Sequence, residues 1–205
     1  MTDDRAAQGL DRLAAFSDGV FAIAITLLVL PLADAEIDPG HVGESLAALA
    51  PRGLTFALSF AVIGRYWLVH HDNVRALVRS DRGLLVLNLA FLFCIAFMPF
   101  PTSVLGGTDG GTAATVLYAV TIIATSVAAA ALWWYATFHR KLVDPEVHSD
   151  AHAREAITGS LSAAVAFLPS IPLAFIDPTW AKYSWLLAVP LGFLADRFPR
   201  RRVST

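Results

Sequence analysis

Five side chains with the chemistry for catalysis or proton transfer lie inside or beside long apolar stretches: Ser17, Asp18, Arg65, His70 and Asn88. A serine, a histidine and an aspartate can form a nucleophilic triad, and a carboxylate with a histidine can relay protons. Ser17 and Asp18 are consecutive, however, and would project about 100° apart on a helix, which suits a triad poorly. The sequence also lacks Gly-x-Ser-x-Gly and His-Glu-x-x-His patterns. We therefore predict no catalytic residues and no enzyme.

Two further polar runs predict no ligand site of their own. The run His70–Asp72 contains three potential metal ligands, but consecutive side chains on a helix diverge by about 100° and cannot all face one ion. The run Arg200–Arg202 is short, and anionic lipid headgroups explain it better than nucleic acid does. We predict no metal site, no cofactor and no nucleic-acid partner.

The composition is that of a membrane protein. Of 205 residues, 56% are hydrophobic and 16% are charged, and the mean hydropathy is +0.59, whereas a soluble domain carries about 25% charged residues. About 20 apolar residues at 1.5 Å each cross a hydrocarbon core of roughly 30 Å. We predict six spans, at residues 13–32, 46–69, 84–105, 113–138, 156–176 and 180–195. The second contains Arg65 and the last is short and contains Pro190, so five spans are the alternative.

Basic residues predict the orientation of these spans. With the N-terminus inside, only Arg52 and Lys182 lie outside, and Arg65 lies within a span. The other lysines and arginines then lie inside: Arg5, Arg12, Arg75, Arg79, Arg82, Arg140, Lys141, Arg154, Arg197, Arg200, Arg201 and Arg202. Because basic residues concentrate on the cytoplasmic side, we predict a plasma-membrane protein with both termini cytoplasmic. No loop is long enough for a second domain, so residues 1–205 are predicted to form one all-α, six-helix domain with short cytoplasmic tails.

The polar side chains are predicted to share one layer near the cytoplasmic surface. Ser17 and Asp18 lie about one and a half turns into the first helix. The second helix ends near His70 and the third begins before Asn88, so Arg65 and Asn88 lie at a similar depth. A carboxylate inside the membrane costs several kcal/mol unless it is paired, so we expect Asp18 to be buried against a guanidinium or an imidazole. This layer either holds three helices together or also senses protons through His70.

The rest of the first helix carries an apolar stripe. Ile23, Leu27 and Leu30 recur at i, i+4 and i+7, which is one side of a helix. Contact with lipid or with the bundle explains such a stripe on most apolar helices. Small residues such as Gly19 and Ala22 lie among them and allow close helix approach. If several copies met around an axis, the stripe would form successive apolar rings, which can gate ions by dewetting.

This first helix also carries a long motif, Arg12-x-x-x-Phe16-Ser17-Asp18, which continues without a charge to Leu30. The next two spans contribute Ser59-Phe60, Ile63, Tyr66-Trp67, His70-His71, Asn88-Leu89, Phe91-Leu92 and Pro99-Phe100-Pro101-Thr102. Together these residues resemble the transmembrane protein 175 family of potassium channels, in its prokaryotic branch with one six-helix repeat per subunit. The specific resemblance covers residues 12–105, and the remainder agrees only in hydropathy.

The resemblance implies a homotetramer, surrounded by membrane lipids, whose four first helices line a pore for potassium ions with modest selectivity. It makes Ile23, Leu27 and Leu30 the pore constriction, and Thr26 could offer hydroxyls to a passing ion. The remaining residues are implied to form a packing and gating network: Arg12, Phe16, Ser17, Asp18, Arg65, His70 and Asn88. Arg65 has no established place in the family motif, and its side chain can alternatively extend to the cytoplasmic surface.

A proton-coupled secondary transporter is the alternative function, with Asp18 and a histidine as the relay. Transporters usually contain internal repeats and broken helices near the bilayer midplane, and the sequence shows no repeat of motifs. A non-conducting membrane scaffold or an intramembrane enzyme is a third interpretation. The sequence therefore favours a channel over both.

Overall fold

The computed structural model describes residues 2–107, 110–140, 142–143 and 150–185, and its named elements are all helices. They are α1 (Thr2–Leu27), α2 (Leu30–Ala33), α3 (Val42–Ala48), α4 (Ala50–Val74), α5 (Arg82–Phe97), α6 (Pro99–Gly107), α7 (Thr112–Trp134), α8 (Asp150–Phe167) and α9 (Ser170–Ile176). A π-helical turn at Tyr135–His139 extends α7, and residues 178–185 are also helical. Most of the predicted sixth span and the C-terminal arginines lie outside the described residues.

The helices confirm an all-α, multi-pass membrane protein. By length and composition, four helical segments within the described residues could cross a membrane: Ala7–Ala33, Arg82–Gly107, Thr112–His139 and Ala156–Ile176. Helices α3 and α4 form a pair bent by 46° that passes the same test as one broken span. The part of the chain that the structure describes therefore contains four or five candidate spans.

Prolines lie at two of the breaks in the first two spans. Pro51 lies in the first turn of α4 and has no amide hydrogen to donate back into α3, so the helix bends there. Pro31 has the same effect at the start of α2. Before Pro31 the backbone leaves the α-helical hydrogen-bond pattern: the amide of Val29 donates to the carbonyl of Thr26, three residues earlier, at 3.3 Å. Helices α1 and α2 nevertheless belong to one span of 27 residues.

Helix α7 is the central helix of the described bundle. Its most apolar window is 56% buried, against 22–33% for the other three unbroken spans, and it packs against α5, α6, α8 and α9. Its buried positions include small side chains such as Ala119, Thr125 and Ala129. Small side chains let neighbouring helices approach closely, which is how helices associate where water supplies no driving force.

Buried hydroxyl groups connect α4 to α6 and α7. The Ser59 hydroxyl lies 2.9 Å from the Tyr118 hydroxyl and accepts a hydrogen bond of 2.9 Å from Thr102. The Tyr66 hydroxyl lies 2.6 Å from the Ser126 hydroxyl. Because the membrane interior offers no water, polar groups there must be satisfied within the protein. These pairs fix the rotation of α4, and with it the direction in which its functional side chains point.

The loop between α4 and α5 is tied to the end of α7. The Asp81 carboxylate accepts a hydrogen bond of 2.8 Å from the Leu84 amide, which caps α5, and pairs with Arg140 Nε at 2.8 Å. The Leu84 hydrogen bond, with that from Arg140, holds the pKa of Asp81 below its usual value. This junction therefore contributes stability above the ordinary carboxyl pKa of about 3.9, and loses it as the pH falls through the lower folded-state pKa.

Candidate functional site

Helix α1 has one face that is buried in the subunit. Leu13, Ser17, Phe21 and Ala24 are each at most 6% exposed, and their spacing of three or four residues keeps them on one side of the helix. Leu28, which directly follows α1, continues this buried side and is 1% exposed. They pack against α4 and α5, the two long helices nearest to α1. These buried residues therefore hold α1 in place within the subunit. They alternate along the sequence with the residues of the predicted pore stripe.

The opposite face of α1 is apolar and exposed. Phe16 is 55% exposed, Ile23 61% and Leu27 40%, and Leu30, the first residue of α2 in the same span, is 48% exposed. Thr26 is also exposed, and its hydroxyl donates to the carbonyl of Ile23 at 2.8 Å. The predicted stripe thus does not pack inside its own subunit, and either lipid or another copy of the chain must cover it in a membrane.

Ser17 and Asn88 join α1 to α5. The Asn88 side-chain amide donates to Ser17 Oγ at 3.1 Å, and Ser17 Oγ donates to the Leu13 carbonyl at 2.9 Å. Ser17 is 0% exposed and Asn88 is 3% exposed. The two helices are therefore held together by a buried hydrogen bond at the depth that counting along the sequence indicates.

Asp18 has a different partner from the one predicted. Its carboxylate is exposed in the subunit and accepts a hydrogen bond of 2.8 Å from the indole nitrogen of Trp67. The Trp67 ring packs against His71, with centroids 5.3 Å apart. The expectation that Asp18 is buried against a guanidinium or an imidazole is wrong for the described residues. Trp67 was missed as a site residue, although it lies on the second span of the motif and an indole N–H is a donor that usually finds an acceptor.

Arg65 points away from Asp18. Its guanidinium donates to Ser162 Oγ on α8 at 3.1 Å. Two residues separate Arg65 from Trp67, so their side chains leave the helix about 200° apart. Because Trp67 faces α1, Arg65 faces the opposite side of α4. Arg65 is therefore not the partner of Asp18 in the described structure, although the two residues lie on spans that contact each other.

His70 is buried among aromatic rings. It is 3% exposed, and its ring centroid lies 5.8 Å from Phe21, 5.2 Å from Phe91 and 5.8 Å from Trp133. Neither ring nitrogen has a hydrogen-bond partner among the described residues. His70 therefore contacts α1 through ring packing with Phe21 rather than through a hydrogen bond to Asp18.

The structure thus gathers part of the predicted network around α1. Ser17, Asn88, His70 and Asp18 contact or adjoin the helix through the pairs given above, whereas Arg65 serves a contact between α4 and α8. Arg12 and Phe16 lie on the exposed side of α1. No group of three or more His, Cys, Asp or Glu side chains that could hold a metal ion occurs within the described part of the chain.

A multi-pass helical membrane protein with this motif on its first span is the class that the fold and the site define. The family described as "Endosomal/lysosomal potassium channel TMEM175" matches residues 12–99. A potassium channel of Streptomyces collinus is 35% identical over 199 residues, which cover 94% of this chain and 96% of that protein. The chain belongs to the TMEM175 family of potassium channels, and its length is that of the single-repeat bacterial members.

Two further comparisons agree with this placement. The crystal structure of a lysosomal potassium-selective channel TMEM175 homolog from Chamaesiphon minutus superposes with a TM-score of 0.75 and 29% identity, over 93% of this chain and 99% of that chain. The human "Endosomal/lysosomal proton channel TMEM175" is 27% identical over 155 residues, which cover 73% of this chain and 31% of the human protein. The likeness to the bacterial channel extends over nearly the whole of both chains.

Proposed function

We propose that this chain is a modestly selective potassium channel that assembles as a homotetramer around four copies of α1. Ile23, Leu27 and Leu30 form the constriction, and Thr26 presents hydroxyl groups to the permeating ion. The observation that carries the proposal is the division of α1 into a buried face and an exposed apolar face. A helix that has already packed one side against α4 and α5 can offer the other side to its symmetry mates.

The constriction would work by dewetting. Apolar side chains that meet around a narrow axis exclude water, and an ion that has lost its water cannot cross. Four copies of three apolar side chains would provide successive rings of this kind. No charged side chain occurs from Gly19 to Leu30, so ion passage there depends on the width of the rings.

We infer a gating role for the polar contacts at the other end of α1. The Ser17–Asn88 and Asp18–Trp67 hydrogen bonds hold α1 against α5 and α4. His70 supports Phe21 at the next turn. Arg12 and Phe16 lie on the side that faces the neighbouring subunits in the proposed assembly. A change in these contacts would rotate or shift α1, and with it the apolar rings.

We further propose that residues 1–205 form one domain with six spans, in the plasma membrane, with both termini cytoplasmic. The sixth span would be residues 180–195. The positions of basic residues support this orientation, because Arg75, Arg79, Arg82 and Arg140 all lie beside the junction at the end of α4 and α7. Cysteine-accessibility labelling of Ser204→Cys and Glu36→Cys variants would test it. Labelling of the Ser204→Cys variant from outside intact cells would contradict it.

Potassium flux into liposomes tests the pore assignment. We expect purified wild-type protein to carry electrogenic potassium flux without a proton gradient, and Ile23→Ala and Leu27→Ala to increase it because smaller rings exclude water less well. Leu168→Ala is the matched control, since Leu168 is 59% exposed and lies far along the chain, after α8. Unchanged flux in both α1 variants, with normal assembly, would remove the stripe from the pore. Flux that strictly requires a proton gradient would favour the transporter.

The oligomer number tests the assembly separately. Mass measurement of the purified protein in detergent should give four subunits. A stable monomer that still conducts would contradict a pore built from four first helices.

A further inference from the structure

The end of α7 carries an exposed aromatic and basic surface at the boundary of a candidate span. That span covers Thr112–His139, so Arg140 is the first residue beyond it. Trp134 and Phe138, four residues apart, are 53% and 38% exposed, and His139 and Arg140 are also exposed. Tryptophan and arginine are typical of the level at which a span meets the lipid headgroups. We call Trp134, Phe138, His139 and Arg140 the α7 end surface.

The π-helical turn at Tyr135–His139 builds this surface. The amide of Arg140 donates to the carbonyl of Tyr135, five residues earlier, at 2.9 Å, so the turn holds one residue more than an α-helical turn does. This wider turn brings side chains five residues apart close together. His139 therefore stacks on Trp134, with ring centroids 5.9 Å apart and ring planes inclined by 14°. Single π-helical turns of this kind occur frequently at functional sites.

Asp81 holds the Arg140 side chain from the neighbouring loop. Its carboxylate accepts hydrogen bonds from the Tyr135 hydroxyl at 3.1 Å and from Arg140 Nε at 2.8 Å. Nε is the one nitrogen of this guanidinium that is hydrogen-bonded among the described residues, and 52% of the side chain is exposed. Its two terminal nitrogens therefore remain available to a second anion. A guanidinium that is already oriented loses less conformational entropy when it binds a phosphate.

Arg82 adds a second cation beside the Asp81–Arg140 pair. It follows Asp81 directly, is exposed, and forms no ion pair within the described part of the chain. The loop that carries it is held against the end of α7, because the Val78 amide donates to the carbonyl of Leu142 at 2.9 Å. One positive charge therefore remains when the Asp81 carboxylate is matched to Arg140.

These features favour an anionic phospholipid as the occupant. A water-soluble anion would satisfy the guanidinium groups but would leave the exposed aromatic rings at the end of the span uncovered. An anionic phospholipid satisfies both, because its phosphate lies at the level of the basic side chains and its glycerol and acyl carbons lie at the level of the rings. A zwitterionic phospholipid supplies the same apolar cover without a net charge.

We propose that the α7 end surface binds the headgroup of an anionic phospholipid. The terminal nitrogens of Arg140 donate to the phosphate, and His139 adds a further nitrogen beside it. Trp134 and Phe138 contact the glycerol and the first acyl carbons. The exposed face of α1 takes no part in this site, so the site does not depend on the proposed pore.

Native mass spectrometry of the full-length protein in a non-ionic detergent tests the site. The probe is palmitoyl-oleoyl phosphatidylglycerol, and the matched lipid is palmitoyl-oleoyl phosphatidylcholine, which has the same chains and no net charge. We expect the phosphatidylglycerol to bind saturably and more tightly than the phosphatidylcholine. Arg140→Gln should weaken its binding about tenfold, because hydrogen bonds to a charged group are lost.

Arg52→Gln is the matched control for the charge, because Arg52 lies at the opposite end of α4 from the loop that contacts the α7 end surface. This variant should bind phosphatidylglycerol as the wild type does. Equal binding of the two lipids by the wild type, or equal binding of phosphatidylglycerol by Arg140→Gln and the wild type, would overturn the proposal.

A second variant keeps the Asp81–Arg140 pair and every charge in place. Trp134→Ala truncates an exposed side chain, so the fold should tolerate it, and it should weaken the binding of phosphatidylglycerol about threefold. Trp180→Ala, at a tryptophan that is 67% exposed outside this surface, is its control. Unchanged binding by Trp134→Ala would overturn the site.

Inorganic phosphate distinguishes a lipid from a free anion. Binding of inorganic phosphate as tight as that of phosphatidylglycerol would overturn a lipid ligand. Potassium flux is measured on the same samples, so a protein that binds phosphatidylglycerol but does not conduct contradicts the pore and supports this site.

Discussion

The two faces of α1 are alike in composition and opposite in environment. Phe21 and Leu28 are 1% exposed, whereas Phe16 and Leu27, of the same residue types, are 55% and 40% exposed. In a soluble protein the exposed pair would be anomalous, but lipid solvates apolar side chains as well as a protein interior does. Hydrophobicity therefore does not distinguish the face that holds the subunit together from the face proposed to line the pore.

The polar residues of α1 distinguish its buried face from its exposed face. Ser17 is on the buried face and its hydrogen bond with Asn88 is enclosed. Asp18, one residue later, is on the accessible side and is bonded to the indole of Trp67. A charge is kept where water or a neighbouring subunit can reach it, and a neutral hydroxyl is placed where neither can.

The largest expected effect comes from truncating the buried phenylalanine. Phe21→Ala should lower the free energy of unfolding by about 3–5 kcal/mol, because it removes the ring that packs on His70 and Phe91. Phe16→Ala is the matched control on the exposed face and should cost less than about 1 kcal/mol. Unfolding measured in a detergent that first dissociates the protein into single subunits reports both. Equal losses of unfolding free energy in the two variants would contradict the difference in burial between the two faces.

A smaller effect is expected from the buried hydrogen bond. Ser17→Ala leaves the Asn88 amide without its acceptor and should cost about 1–3 kcal/mol of unfolding free energy. A double-mutant cycle with Asn88→Ala measures the coupling. Coupling should make the double variant less destabilised than the sum of the single variants. Strict additivity would mean that the Ser17–Asn88 contact does not stabilise the pair of helices.

Loss of the hydrogen bond between Asp18 and Trp67 should lower the unfolding free energy by less than loss of the Ser17–Asn88 bond. Trp67→Phe removes the indole donor but keeps an aromatic ring against His71, so we expect about 1 kcal/mol. Asp18 is exposed in the subunit, and water can replace the lost donor. Trp180→Phe, at a tryptophan that is 67% exposed, serves as the control. A loss larger than that of Ser17→Ala would place Asp18 in a dry environment and would remove the contrast drawn between these two neighbours.

The smallest effect on stability is expected at the proposed constriction. Ile23→Ala should change the unfolding free energy of the subunit by no more than about 0.5 kcal/mol, because Ile23 is 61% exposed and alanine favours the helix. The same substitution is expected to change potassium flux. A large loss of subunit stability from Ile23→Ala would indicate that this side chain packs within the subunit.

Counting residues along each span predicted which residues of neighbouring helices lie at the same level. It did not predict the direction in which their side chains point around the helix axis. Ser17 and Asn88 were placed at one level from the sequence, and they form a hydrogen bond. Arg65 was placed at the same level, yet it faces α8, where it bonds Ser162. Depth follows from a rise of 1.5 Å per residue, which every helix shares. Rotation follows from side-chain packing, such as the Tyr66–Ser126 pair that turns α4 towards α7.

The sequence by itself determined that the chain crosses a membrane as helices, and that its first helix carries the motif of a potassium-channel family. Length, hydropathy and motif are local properties, because a segment must be apolar and about 20 residues long to span lipid whatever it packs against.

Only the tertiary structure decided which side of α1 is buried, that Trp67 rather than Arg65 or His70 is the partner of Asp18, and that Arg65 and His70 line a common cavity. These facts depend on how helices distant in sequence rotate against one another. That rotation is set by many small packing contacts and hydrogen bonds at once, and hydropathy carries no signal for it.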